Sequence, residues 1–212
     1  MVEYLPPREV TSPTPFAGRD HPMRIVTREA AFDSPSWTPQ RRQKVEKLFD
    51  GLAPEWHQKH AADRLLPLHD ALERGHPSRG NCLELGCGTG PATSILGESF
   101  ARVLALDLSF EMLRRLDSPE AERVRADASC LPISEPWADS IILMNMLLFP
   151  SEVARVLKPQ GTIVWVNSRG ENTPIHLSPE DLVAALPGSW TARAARAGEG
   201  LWAVARRADA AQ

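Results

Sequence analysis

Residues 83–90 read Leu-Glu-Leu-Gly-Cys-Gly-Thr-Gly, an apolar strand that runs directly into three glycines at alternate positions. A glycine without a Cβ lets the backbone turn sharply and approach a ligand closely. The first peptides of the helix that follows can then face that ligand. After Gly90, apolar residues at Ala92, Ile95, Leu96 and Phe100 give a helical stretch, and Arg102 to Leu106 forms a second apolar run that ends at Asp107. Strand, helix and strand in this order, with an acid about twenty residues beyond the first glycine, form a βαβ unit whose carboxylate is placed to accept hydrogen bonds from ribose hydroxyls. Asp107 as a plain cap for the helix starting near Ser109 is the competing reading.

The glycine spacing separates two kinds of nucleotide ligand. Dinucleotide folds ordinarily carry G-x-G-x-x-G, the third glycine allowing close packing beside a pyrophosphate. Here the spacing is G-x-G-x-G with Pro91 in that third place, and no basic residue stands nearby to meet a phosphate. A nucleoside ligand without phosphates is the better match.

Four segments in succession, LELGCGTG at 83–90, ALDLS at 105–109, RADASCLPI at 125–133 and RVLKPQGTIVWV at 155–166, resemble the motifs of class I S-adenosylmethionine-dependent methyltransferases. The resemblance covers roughly residues 45–207. It implies S-adenosylmethionine as cofactor, with Gly86, Cys87 and Gly88 lining the methionine and ribose portion and Asp107 on the ribose. Leu108 and Met112 would pack on the adenine, and Asp127 with the backbone of Ala128 would read its edge. Glu84 would help place the methionine ammonium, where Asn145 would offer its carbonyl. Gln160 departs from the pattern, standing where the family most often has a second glycine before the strand.

From Asn81 onward strands are expected near 81–85, 102–106, 122–125, 140–144 and 161–167, with helices after most of them, so a parallel sheet follows. Continuous apolar runs at 141–144 and 163–166 indicate strands covered on both faces. Two last strands, near 189–196 and 201–207, flank Gly198-Glu199-Gly200 and read as a hairpin. The expected fold class is α/β, a Rossmann-like doubly wound and mostly parallel sheet with a C-terminal antiparallel hairpin and a small N-terminal helical cap. Three regions follow: a Pro-rich arm over residues 1–40, a helical cap over 41–79 and the cofactor-binding core over 80–212. Seven prolines in the arm argue that no regular helix or strand persists there.

A net charge of −3 at neutral pH gives no bulk attraction to nucleic acid or to an anionic membrane. The longest apolar run, Ile141 to Phe149, is interrupted by Asn145 and is about half of a membrane span. With no signal-peptide pattern at the N-terminus and three cysteines that make no even framework, the expectation is a cytoplasmic protein with free thiols. Its partner is expected to be a small-molecule methyl acceptor, and the oligomeric state is left open. Cys87 reads as a small residue between glycines before it reads as a nucleophile.

Methyl transfer needs alignment of two reactants more than it needs a reacting side chain. Where a base is used, histidine suits neutral pH. His57, His60, His69 and His176 are the candidates; His57 and His60 rank first, beside Trp56 as the candidate acceptor contact. A solvated helix face is the plainer reading of both, and their spacing finds no third ligand for a metal. The activities that compete with a methyltransferase are a non-catalytic S-adenosylmethionine-binding module and a nicotinamide oxidoreductase.

Overall fold

The computed structural model describes residues 1–11, 18–56 and 62–208. Eight strands form one sheet: β1 (Val2–Tyr4), β2 (Asn81–Leu85), β3 (Arg102–Asp107), β4 (Ala121–Arg125), β5 (Ala138–Met144), β6 (Leu157–Asn167), β7 (Trp190–Ala197) and β8 (Gly200–Arg207). Their order across the sheet is β1-β7-β8-β6-β5-β2-β3-β4. All neighbours run parallel except β8, which is antiparallel to both β6 and β7. The order reverses direction at β2, so the crevice beyond its carboxyl end is where ligands of open α/β sheets bind.

Strict alternation along the central strands separates two apolar layers. Leu83, Leu85, Ile141, Leu143, Ile163 and Trp165 point to one side, where α1 (Met23–Phe32), α6 (Pro150–Val156) and α7 (Pro179–Ala185) supply Ala30, Val153 and Leu182. Cys82, Ile142, Val164 and Val166 point to the other, against Leu68 and Leu72 of α3 (Leu66–Arg74), Leu96 of α4 (Thr93–Ser99) and Leu113 of α5 (Phe110–Leu113). Both faces of β2, β5 and β6 are thus buried, as their apolar runs require.

Two findings depart from the sequence reading of the arm. α1 occupies ten residues between Pro22 and Pro35, a gap just long enough for nearly three turns, and it packs Ala30 and Ala31 into the core. Val2–Tyr4 pairs in parallel with β7, with Val2 opposite Ala192, and so becomes the sheet's outermost strand. Prolines interrupt this region without emptying it of structure, because Pro is excluded from helix interiors and not from their starts. α2 (Pro39–Leu52) makes the same point: Pro39 is its first residue, and the hydroxyl of Thr38 accepts the N–H of Arg41.

Residues 41–79 split between two places. α2 and the turn Ala53–Glu55 lie against α5, at the carboxyl ends of β3 and β4. α3 instead lies on the sheet face over β6, β7 and β8. It is held there by Asp70, fully buried, which takes ion pairs from Arg74 and Arg8 and the indole N–H of Trp202 at 2.6 Å. Burial alone would raise the Asp70 pKa, but hydrogen bonds from Arg74 and Trp202 and the two guanidinium charges hold it below its usual value.

Candidate cofactor site

β2 delivers Glu84 and the glycine loop to the switch point. The N–H groups of Gly86 and Cys87 both donate to the carbonyl of Leu106 on β3, at 2.8 and 3.1 Å, which ties the loop to the next strand. Gly86, Gly88 and Gly90 all have positive φ, at 71°, 58° and 88°. A Cβ on Gly86 would lie 2.5 Å from the sulfur of Met146, and one on Gly88 would lie 3.2 Å from the indole nitrogen of Trp56. Positive φ favours glycine at these positions, and a Cβ there would also press on Met146 and Trp56.

Asp107 ends β3 with its carboxylate turned back onto the loop. Gly88 N–H donates to Oδ2 at 2.8 Å and Ser109 N–H to Oδ1 at 2.8 Å. The pKa of Asp107 is raised, chiefly by burial, against the pull of the backbone N–H groups of Ser109, Gly88 and Leu108. Ser109 serves separately as the cap of α5: its hydroxyl accepts the N–H of Met112 at 3.1 Å and donates to Asp50 of α2. The cap and ligand readings of this corner therefore divide between two residues, Ser109 capping and Asp107 facing the loop.

Glu84 is buried on the α4 side of β2 and accepts the hydroxyl of Thr93 at 2.7 Å. Its pKa is pushed up to about 7, first by burial and further by the charge of Asp107, with the Thr93 bond working against them. A buried acid near its midpoint at neutral pH is placed to meet a cation. Burial pushes the thiols of Cys82 and Cys87 up, so neither is an activated nucleophile, and all three cysteines are free.

Met112 and Ala128 are buried and Leu108 is half-buried, so Met112 and Ala128 lie mainly beneath the crevice surface. Asp127 follows β4, and both its oxygens accept the indole N–H of Trp37, at 3.1 and 3.2 Å. Asn145 sits at positive φ just after β5. Its side chain bridges to Ser168 at the end of β6, donating to Oγ at 3.0 Å and accepting the Ser168 N–H at 2.9 Å. Ser168 Oγ also lies 3.2 Å from a nitrogen of Arg64. With its side chain bonded to Ser168 and its N–H to the Val166 carbonyl, Asn145 keeps its main-chain carbonyl for a ligand.

Trp56 packs edge-on against Phe49 with ring centroids 5.8 Å apart and lies over Gly88. His57 and His60 lie outside the described residues. His69 is exposed and lines, with Arg64 and Ser168, a cavity of about 390 Å³. His176 is half-buried with its pKa pushed down to about 4, by burial first and by Arg24 next, which makes it a weak base at neutral pH. Among the described residues no group of three His, Cys, Asp or Glu could hold a metal ion, and no helix is long and apolar enough to cross a membrane.

Trp37, Met146, Thr93 and Ser168 escaped the sequence reading. Each touches a residue of the site, yet none carries a motif or a periodicity of its own. Trp37 in particular stands among prolines, outside any regular run.

Residues 83–165 match the family described as "Methyltransferase domain". The chain is 26% identical over 148 residues to the malonyl-[acyl-carrier protein] O-methyltransferase of Enterobacter lignolyticus, covering 64% of this chain and 58% of that protein. It is 37% identical over 94 residues to the demethylmenaquinone methyltransferase of Clavibacter sepedonicus, covering 39% of this chain and 38% of the relative. The chain thus spans less than two thirds of the length of these curated relatives. In three dimensions it is similar to DhpI in its complex with SAH, with a TM-score of 0.66 at 22% identity over 80% of this chain and 98% of DhpI. Residues 83–165 thus match a methyltransferase-domain family, and the strand order with its antiparallel β8 gives the chain a Rossmann-like fold similar to that of DhpI.

Proposed function

We propose that the protein transfers a methyl group from S-adenosylmethionine to a small-molecule acceptor. The observation that carries this reading is the continuous line of Glu84, Gly86, Gly88 and Asp107 along the carboxyl ends of β2 and β3, with the Gly88 N–H already bonded to Asp107. The line fits the group: a buried acid for an ammonium, an uncluttered backbone for the thioether and ribose, and a carboxylate for two hydroxyls. The cofactor supplies a methyl carbon on a positively charged sulfur. Everything else is the work of the chain.

Asp107 binds the ribose, Leu108 and Met112 flank the adenine, and Asp127 with the Ala128 backbone reads its edge. Asn145 turns its carbonyl to the methionine ammonium while its side chain stays on Ser168. Trp56 and Met146, lying over Gly88 and Gly86, close the crevice and exclude water. The cavity beside Ser168, Arg64 and His69 is of the size that takes a small acceptor. When bound, the cofactor would supply an electrophilic methyl carbon, and these residues would hold an acceptor in line with it. Alignment of the reactants carries most of the rate, and His57 and His60 are the candidate bases where the acceptor carries a proton to be removed.

Calorimetry should find one saturable site per chain for S-adenosylhomocysteine. Binding of NAD with none of S-adenosylhomocysteine would overturn the reading.

The state of Glu84 supplies a second test. Its folded pKa of about 7 lies above that of an unfolded glutamate, roughly 4.3, so the stability it contributes is fully present below the unfolded value and is lost as pH rises through about 7. An arriving ammonium favours the ionised form, so binding at pH 6 should release close to one proton, and affinity should fall as pH drops below 7. Calorimetry in buffers of different ionisation enthalpy measures that proton. Glu84→Gln should abolish it, and equal release by the variant would remove Glu84 from the site.

A further inference from the structure

Asp127 is served from a part of the chain that the methyltransferase domain does not include. The indole N–H of Trp37 lies 3.2 Å from Oδ1 and 3.1 Å from Oδ2, centred between the two oxygens. The Ser129 N–H donates to Oδ1 at 2.9 Å. Trp37 is itself fixed on three sides. Its ring meets Phe149 edge-on with centroids 5.1 Å apart, its N–H bonds to the Ser34 carbonyl at 3.1 Å, and Thr38 beside it caps α2.

A carboxylate on a short side chain turns freely about its last torsion, because that torsion has no sharp minima. It offers about four acceptor directions, two on each oxygen. The indole N–H serves both oxygens and the Ser129 N–H serves Oδ1 again, so Oδ1 accepts two bonds and Oδ2 one, which leaves Oδ2 the more open acceptor. An indole donates and never accepts. The arrangement therefore presents a single acceptor with its orientation fixed, which is complementary to one N–H of an exocyclic amine and mismatched to a carbonyl oxygen.

We propose that Trp37 is a positioning residue for base specificity: by holding the Asp127 carboxylate, it makes the site select adenine, with its 6-amino donor, over hypoxanthine, with a 6-oxo acceptor. The inference rests on the assignment of Asp127 to the adenine edge, and the variants below separate the two. The indole acts through Asp127 and need not touch the base. It belongs to the segment before α2, so specificity for the base is divided between the core motif and a residue outside it.

The experiment compares the dissociation constants of S-adenosylhomocysteine and S-inosylhomocysteine for the parent protein, Trp37→Phe, Trp37→His and Asp127→Asn, with thermal midpoints recorded for each. The parent should prefer the adenine ligand. Trp37→Phe keeps an aromatic ring but removes the donor, and should shrink the preference about tenfold, the effect of losing one hydrogen bond to a charged group. Trp37→His, which retains an N–H donor, should recover much of it, and Trp37→Leu, which also lacks a donor, serves in place of Trp37→Phe where the latter melts below the assay temperature. Asp127→Asn, whose amide can donate to a 6-oxo group, should collapse or invert it. Equal weakening of both ligands by Trp37→Phe overturns the proposal, since the indole would then only fill space. Tighter binding of both also overturns it, since the indole would then compete with the base. A parent without preference, or Asp127→Asn with the parent's ratio, refutes the assignment of Asp127 and the proposal with it, while leaving S-adenosylhomocysteine binding itself intact.

Discussion

Asp107→Ala should fold and bind S-adenosylhomocysteine between roughly fivefold and 150-fold more weakly than the parent, a loss of about 1 to 3 kcal/mol. Two effects add in the same direction. The ribose hydroxyls lose their acceptor, and the N–H groups of Gly88 and Ser109 lose the carboxylate that fixes the glycine loop against β3. Asp107→Asn separates them. Its amide oxygen can still accept from one of these N–H groups, but it offers neither the charge nor the second acceptor, so its affinity should fall between parent and alanine. Titration calorimetry on the three proteins is the measurement. Parent-like affinity in the alanine variant would show that the ribose is bound elsewhere.

The largest expected loss of stability lies under α3, on the same face of the sheet as α4 and α5. Asp70→Ala removes a fully buried carboxylate on which Arg8, Arg74 and the Trp202 indole converge. Removing one member of such a buried set costs about 3 kcal/mol or more, since the partners stay behind unmatched. The midpoint of urea unfolding should drop accordingly. Cofactor affinity, measured under folding conditions, should change little, because the partners of Asp70 (Arg8, Arg74 and Trp202) include none of the residues assigned to the cofactor. An unchanged midpoint would mean that α3 is held by Leu68, Ala71 and Leu72 alone.

The contrast between these two sites tracks what was legible in the sequence. Asp107 stands at the end of an apolar run, at a fixed distance from three glycines, so local pattern places it. The central strands were equally plain, because Ile141 to Met144 and Ile163 to Val166 are apolar on both faces. Asp70 carries no such mark: its partners Arg8 and Trp202 are distant in sequence and meet only through the sheet's topology. β6 begins at Leu157, earlier than the expected start near 161, because Leu157 pairs with Ala138 before the register shifts to put Thr162 opposite Ser140. α1 was hidden by the prolines on either side of it, whose effect is strong at a helix interior and favourable at its start. Trp37 and Trp56 gave no periodicity to read. Their places over Asp127 and Gly88 come from how the first third of the chain returns to the switch point.

The pairing of β1 with β7 has a consequence for the order in which the chain is made and folded. Val2 finds its partner, Ala192, nearly the whole chain later. During synthesis β1 emerges well before β7, its pairing partner. Closure over such a distance adds little entropy cost beyond a shorter loop, because the cost grows only logarithmically. It does impose a sequence of events. β2, β3 and β5 can assemble around the glycine loop first, and the outer edge is completed last, when the opening residues dock beside β7 and Arg8 reaches Asp70. β1 is then among the last strands to become native.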